Sequence, residues 1–496
     1  MIPLFKGGDK KNINNYRPIS LLPAFSKVLE KVVRIQLYRH LANGILVQQQ
    51  FGFRNGRSTE QAILNFMQNM ERNRDKKYHL AVFVDIRKAF DSISHRILFA
   101  KLEKMGVRNV ELEWFRDYLT NRKQSVQLGT KRSENLTITC GVPQGSVLGP
   151  LLFLAYINDM PKTTKLLASL FADDTTLQTS GNLIRQLEEE TNRELQKTAE
   201  WFENNCLALH PDKTRFILFN GDKKTEITLK LQGTVIKRVR KDSDETSFKF
   251  LGLWIDEDLS FKDHMKHLLK KTSKITYALT RMKNAMNLKH KSLVYKGLIK
   301  PHFEYCISLW GHKITKQLNQ AHKKIIRTLN CKPRHTHAEP LMKKCDILHL
   351  EDLYKKSTMT MLFKIKQEET PDILLDYATW ADEESRRWYQ VKINNNNDKL
   401  SKKLPKRWQL QTWNTFFNVE NSTLLHEARP KVFGKAVKTE IIKGYYTYCE
   451  IKHCFSCTKD KEAEMVAMKK YWDQLENKEK SSTNHSQKGE ENTQDG

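Results

Sequence analysis

Leu80-Ala-Val-Phe-Val84 is a run of five apolar residues closed by a carboxylate, Asp85. So short a run, without alternation, predicts a strand buried on both faces. Upstream, Phe25, Leu29, Val32, Val33, Leu37 and Leu41 recur at helical spacing and predict a helix with these positions on its packing face. After the strand, Asp91 or Ser94 is suited to cap a helix whose Leu98, Leu102 and Met105 share a face before Gly106 stops it. A second helix is expected over 111–119, and strands over 125–128 and 136–140. The Gly- and Pro-punctuated segment 141–150 then leads into a helix from about Leu151.

Residues 166–172 and 175–179 read as two strands of a hairpin with Asp173 and Asp174 at its tip. Leu183, Leu187, Thr191, Leu195, Ala199 and Phe202 mark the packing face of a long helix. Strands are expected again over 216–219 and 248–255. Beyond Phe261 the pattern is helical to about Ile365. A looser region is expected around Asn394 to Asn397 and the Lys402 to Arg407 cluster, and a disordered tail in the last twenty residues, rich in Glu, Lys, Ser, Asn and Gln. The pattern as a whole is α+β.

Composition narrows the class of protein. A chain of 496 residues with 39% hydrophobic and 29% charged side chains, 20 Gly and 13 Pro is expected to fold into two to four domains and is neither collagen-like nor wholly disordered. Its longest apolar run, 147–157, is broken by Gly149-Pro150 and falls short of the roughly 20 residues a membrane helix needs. The start has no signal-like pattern, so an intracellular protein without a membrane partner is expected. Lys and Arg number 85 against 57 acidic residues, a net charge of +28 that favours a polyanionic partner over a merely solubilising face. The excess leans C-terminal, with +10 over 1–260 and +18 over 261–496. It is densest over 287–344, where thirteen basic residues face only Glu304 and Glu339. The eight cysteines are scattered and are expected to be reduced thiols. Among them Cys449, Cys454 and Cys457, with His453, resemble a zinc knuckle, but the adjacent His-Cys pair departs from ligand spacing and unliganded thiols are preferred.

The candidate chemistry lies in three carboxylates at strand ends: Asp85, Asp173 and Asp174. Acids gathered at one end of a sheet repel one another unless a multivalent cation neutralises them. Oxygen donors of this kind suit magnesium or manganese, and two such ions serve nucleotidyl transfer. A lone Asp-Asp pair is more often a surface turn. Here it stands in company: Ile2-Pro-Leu-Phe-Lys-Gly-Gly-Asp9, Asn15-Tyr-Arg-Pro-Ile-Ser-Leu-Leu22, Phe51-Gly-Phe-Arg-Asn-Gly-Arg-Ser-Thr59, Phe83-Val-Asp-Ile-Arg-Lys-Ala-Phe-Asp91, the 141–153 segment, Phe171-Ala-Asp-Asp174, Pro211-Asp-Lys-Thr214 and Phe250-Leu-Gly-Leu-Trp-Ile-Asp256. In this order the blocks resemble the reverse transcriptases of non-LTR, jockey-like retrotransposons over about the first 360 residues.

The resemblance implies a right-hand polymerase: fingers over 1–78, a palm with an antiparallel sheet over 79–245, a primer-grip hairpin and helical thumb over 246–310, a basic, mainly helical region over 311–430, and a cysteine-containing segment with a tail over 431–496. It implies an RNA-directed DNA polymerase that extends a primer 3′-hydroxyl on an RNA template. Asp85, Asp173 and Asp174 match the residues that hold two Mg2+ (or Mn2+), and Lys213 matches a lysine that protonates the leaving pyrophosphate. Phe90 matches the ring that crowds the sugar 2′ position, Gln144, Gly145 and Ser146 the template and nucleotide pocket, and Lys10, Arg17, Arg54 and Arg57 the triphosphate-holding positions. Implied partners are an RNA template, a DNA primer or target, deoxynucleoside triphosphates and an endonuclease acting in trans. The site of action would be nuclear, with assembly in the cytoplasm. Relative to that family the chain is expected to be truncated at its N-terminus, beginning inside the fingers. Two other classes share features of the chain: a catalytically dead nucleic-acid-binding remnant, against which the intact Asp85, Asp173, Asp174, Phe90 and Lys213 argue, and an RNA-templated RNA polymerase, which the bulky Phe90 disfavours.

Overall fold

The structure is a computed structural model that describes residues 1–380 apart from 223 and 283, together with 391–392, 403–416, 433–439 and 441. Asn394 to Asn397, Lys402, the Cys449, His453, Cys454 and Cys457 group and the tail lie outside the described residues.

At the centre is a five-stranded sheet in the order Lys237–Arg238, Arg215–Phe219, Tyr78–Val84, Asp174–Gly181, Leu167–Phe171. All seven residues of Tyr78–Val84 are buried, as expected for the middle strand of a sheet covered on both sides. It pairs antiparallel with Asp174–Gly181 from Tyr78 opposite Gly181 to Val84 opposite Thr175, and on its other side with Arg215–Phe219. Successive side chains go to opposite faces. Ala81, Phe83, Ile217 and Phe219 join Ile63, Phe66 and Met70 of the helix Thr59–Arg72 in one core. Leu80, Val82, Val84, Phe216 and Leu218 join the other, built from the helices His95–Lys104, Gly149–Ile157 and Ile184–Asn204. Gly149–Ile157 is buried almost throughout, which accounts for its unbroken apolar sequence.

Beyond the sheet, Phe248–Phe250 and Leu253–Ile255 form a tight hairpin, because Leu251 and Gly252 both adopt positive φ (45° and 89°). Helices Lys262–Arg281, Lys316–Leu329, Leu350–Lys366 and Pro405–Phe416 follow, around the fully buried Phe303, Trp310 and Trp413. Their interior is continuous with one face of the sheet. The short helix Ile307–Trp310 packs on both Leu350–Lys366 and Pro405–Phe416, and the Gln409 amide donates to the Ser308 carbonyl at 2.7 Å, so the apolar core runs unbroken past residue 310. Arg72 reaches Asp376 at 2.6 Å, tying the first 80 residues to the C-terminal helices. No helix among the described residues is long and apolar enough to cross a membrane.

Three expectations differ from what is observed. The helix Ala24–Ala42 forms, but it buries Glu30, Leu37 and Leu41 and leaves Phe25 (90% exposed), Leu29 and Val32 in solvent. Periodicity marks an apolar stripe but does not say which turns reach a core, and the buried Glu30 breaks the stripe because its carboxyl oxygen accepts the Val147 and Leu148 amides. The strands expected over 125–128 and 136–140 are two-residue ladders instead, Lys123–Gln124 with Leu136–Thr137 and Gln127–Leu128 with Lys131–Arg132. These ladders are largely exposed, so no burial extends them. Ser94 precedes His95–Lys104 as expected, yet its side chain makes no capping bond.

The helical interior holds imidazoles in their neutral form. Burial lowers His264 to about 4 and both His312 and His322 to about 3, against an ordinary 6.5. The unfolded chain therefore takes up protons that the folded chain refuses, so stability from these groups is complete above about pH 6.5 and is lost as pH falls toward 4. The urea midpoint is expected to fall between pH 7 and pH 5, and His264→Phe should reduce that fall. A drop of equal size in the variant would contradict the assignment.

Candidate active site

Asp85 follows directly on the buried strand Tyr78–Val84, and Thr214 Oγ1 accepts its amide proton at 3.3 Å. In the neighbouring hairpin Phe171 pairs with Asp174 across a two-residue turn, with Ala172 in the left-handed region (φ 57°). Asp173 thus sits in the turn, and Asp174 starts the returning strand. Because Val84 lies opposite Thr175, the next step of that ladder brings Asp85 beside Asp174. The electrostatics agree with the register. Desolvation in the cleft, then Asp173 and Asp85, push Asp174 up to about 6. Asp173 is raised by desolvation and by Asp85, against its own backbone hydrogen bond and the nearby Arg17 and Lys6.

These carboxylates open onto a cleft of about 1280 Å³. Of the residues expected from sequence, Arg17, Phe90, Gln144, Gly145 and Lys213 line it with Asp85, Asp173 and Asp174. Phe90 rests on Phe153 (centroids 4.8 Å apart) and meets Phe53 edge-on at 6.3 Å. Gln144 Nε2 donates to both Asp91 carboxylate oxygens at 2.8 and 2.9 Å, and its carbonyl accepts the Ser20 amide at 2.7 Å. Gly145 has φ 105°, and a Cβ there would stand 3.0 Å from the Ser20 carbonyl, so this backbone approach requires glycine. Ser146 Oγ accepts the amide of Gly149, at the start of the following helix, at 2.9 Å. Lys213 is carried by a loop fastened to Asp85: the His210 amide donates to the Asp85 carbonyl at 2.9 Å.

Lys10, Arg54 and Arg57 do not line the cleft. Arg54 donates to the Val47 carbonyl at 2.7 Å, and Arg57 to the Gln48 and Gln50 carbonyls, with its guanidinium over the Phe51 ring. Burial, with Arg54 nearby, lowers Arg57 to about 10. The two arginines clasp the 46–57 loop. Cations that do face the cleft and were not singled out from sequence are Lys6, Arg87 and Lys88, joined by Phe53 and Asp91. Arg87 and Lys88 stand two and three residues after Asp85, which was the available signal. Glu30 was also missed. Its Oε2 accepts the amides of Val147 and Leu148 at 2.6 and 3.3 Å, tying the Ala24–Ala42 helix to the loop of Gln144.

Among the described residues no three carboxylate, imidazole or thiol groups stand together at metal-ligation distance. Asp85, Asp173 and Asp174 nonetheless line the same cleft, close enough that, beyond desolvation, Asp85 adds to the raised proton affinity of both Asp173 and Asp174. An all-oxygen donor set under mutual repulsion suits a hard divalent cation.

Because the Asp174 carboxyl binds its proton more tightly in the folded chain, ionising it opposes folding. The penalty is absent below about pH 4 and complete above pH 6. Asp174 remains exposed to the cleft, which tempers its size. Without divalent cation at pH 7.5, Asp174→Asn is expected to raise Tm by about 1–3 °C. The gain should shrink at pH 5, and a lowered Tm at pH 7.5 would contradict the charge cluster.

Residues 9–255 match the family model described as reverse transcriptase (RNA-dependent DNA polymerase). A "probable RNA-directed DNA polymerase from transposon BS" of Drosophila melanogaster is 30% identical over 62% of this chain and 34% of the relative. The RNA-directed DNA polymerase from mobile element jockey of the same organism is 27% identical over 63% of this chain and 35% of the relative. The chain spans about a third of the length of these relatives. Among solved structures, telomerase from Candida albicans in complex with a telomeric RNA fragment aligns at a TM-score of 0.37 and 13% identity, over 66% of this chain and 59% of that one, a likeness too slight to carry weight. Residues 9–255, with their paired aspartates and flanking blocks, form a reverse transcriptase domain whose relatives include polymerases of transposable elements such as jockey.

Proposed function

We propose that this chain is the polymerase of a non-LTR retrotransposon, an RNA-directed DNA polymerase that extends a primer 3′-hydroxyl on an RNA template. The observation that carries the proposal is the convergence of Asp85, Asp173 and Asp174 on one cleft that Arg17, Lys6, Lys213 and Phe90 also line. In this reading the three aspartates hold two Mg2+, or Mn2+, which when bound lower the barrier to attack by the primer hydroxyl and to departure of pyrophosphate. The primer 3′-hydroxyl loses its proton to solvent, and its oxygen bonds to the α-phosphorus as the bond to pyrophosphate breaks. Arg17 and Lys6 bind the triphosphate oxygens as fixed cationic donors. Lys213 gives its ammonium proton to the leaving pyrophosphate, and Gln144, held by Asp91, borders the nucleotide pocket. Phe90, braced by Phe153, fills the space a ribose 2′-hydroxyl would need and so selects deoxynucleotides. The basic helices after Phe261 suit the phosphate backbone of a template–primer duplex. In the same reading the chain acts at chromosomal DNA, in the nucleus, an assignment supported by its likeness to polymerases of mobile elements.

Given poly-rA, oligo-dT, dTTP and Mg2+, the protein is expected to make polymer, and Asp173→Asn to lower the rate at least about 10³-fold, with RNA retained in filter binding. Phe90→Ala should raise ribonucleotide use relative to deoxynucleotide use by about 10–100-fold. Duplex binding without synthesis by the unaltered protein would favour a nucleic-acid-binding remnant instead.

A further inference from the structure

Residues 49–52 run beside the outer strand of the sheet, Leu167–Phe171. The Leu170 amide donates to the Gln49 carbonyl at 2.9 Å, the Phe51 amide donates to the Leu170 carbonyl at 2.8 Å, and Gln50 and Leu170 form a parallel bridge. From that position the Gln50 side chain, 1% exposed, turns its amide oxygen toward two main-chain donors. It accepts the Gly52 amide at 2.8 Å and the Ala172 amide at 2.9 Å. Ala172 is the buried, left-handed residue that immediately precedes Asp173. The left-handed region crowds the alanine Cβ against its own carbonyl, so the turn needs contacts that hold it.

Two further observations single out the Gln50 oxygen. Gln50 Nε2 is buried with no hydrogen-bond partner among the described residues, a cost that an apolar side chain of the same size would avoid. The amide is thus retained for its acceptor. At Gly52 a Cβ would stand 2.3 Å from the Ala172 nitrogen and 2.8 Å from the Phe171 carbonyl carbon, so the close approach that lets Gln50 reach the turn depends on glycine.

We propose that Gln50 is a positioning residue: its amide oxygen holds the Ala172 peptide in the left-handed turn and so fixes Asp173 and Asp174 in the orientation that faces Asp85. The role rests on the proposed function only in assigning catalytic work to those carboxylates. Phe53 lies three residues on from Gln50 with its ring against Phe90, so the same segment braces both the acidic turn and the ring beside it.

The test compares Gln50→Met, which keeps the volume and removes the acceptor, with Gln50→Glu, whose carboxyl keeps an oxygen at the same reach to accept both amides. In primer extension Gln50→Met is expected to lower kcat by about 10–100-fold and to raise the Mg2+ concentration for half-maximal rate several-fold, with KM for dTTP within about 3-fold and Tm within a few degrees of the unaltered protein. Gln50→Glu should recover most of both losses. Equal activity of the two variants, or a loss in Gln50→Met that only follows its folded fraction, would overturn the proposal. Hydrogen exchange on the unaltered protein decides the structural link without any activity. Exchange at the Ala172 amide as slow as in the sheet is expected, and fast exchange would overturn the proposal even if Gln50→Met does not fold. Absence of synthesis by the unaltered protein would instead count against the polymerase assignment and leave the Ala172 measurement to decide the role of Gln50.

Discussion

Like charges held at the end of a sheet are the constraint around which this fold is arranged. Desolvation, together with Asp173 and Asp85, raises the proton affinity of Asp174, and desolvation with Asp85 raises that of Asp173, so the chain gains nothing for its own stability by bringing these carboxylates together. What holds them is the strand Tyr78–Val84, buried along its whole length and paired on both sides. Its register cannot slip by one residue without turning its apolar side chains to the wrong face. Burial energy spent far from the cleft thereby fixes a repulsive arrangement within it, as is common where a site is built for a ligand rather than for stability.

The elements around the sheet are linked to that arrangement by hydrogen bonds rather than by apolar contact alone. Gln49 to Phe51 extend the sheet beside the acidic turn, Glu30 holds the amides of Val147 and Leu148, and Asp91 orients Gln144. Each link joins segments distant in sequence, and loss of Glu30 would leave two main-chain donors unpaired while loss of Asp91 would free the Gln144 side-chain amide. The C-terminal helices share a core with the opposite face of the sheet, so the basic surface they carry is mechanically continuous with the strands that bear the aspartates.

Much of the architecture was legible from the pattern of residues because burial dictates it. The run Leu80 to Val84, the hairpin around Asp173 and Asp174 and the face of Leu187, Leu195 and Phe202 all follow from which side chains must leave water. What escaped is what depends on partners. Arg54 and Arg57 look like phosphate ligands in isolation, yet carbonyls of their own loop take their protons. Lys6, Arg87 and Lys88 look like surface cations and face the cleft. Glu30 interrupts an apolar stripe for a reason that lies 117 residues away. Polar side chains choose among many acceptors, and sequence spacing carries little information about which one is near.

The central claim, that the three carboxylates form one cation site, can be tested by exchanging Fe2+ for Mg2+ and generating hydroxyl radicals with ascorbate and peroxide. If the claim holds, the main chain is cut near Asp85 and near Asp173 and Asp174 in the same molecules, and excess Mg2+ suppresses both cuts together. Cutting at only one of these segments, or at neither while other regions are cleaved, would contradict it.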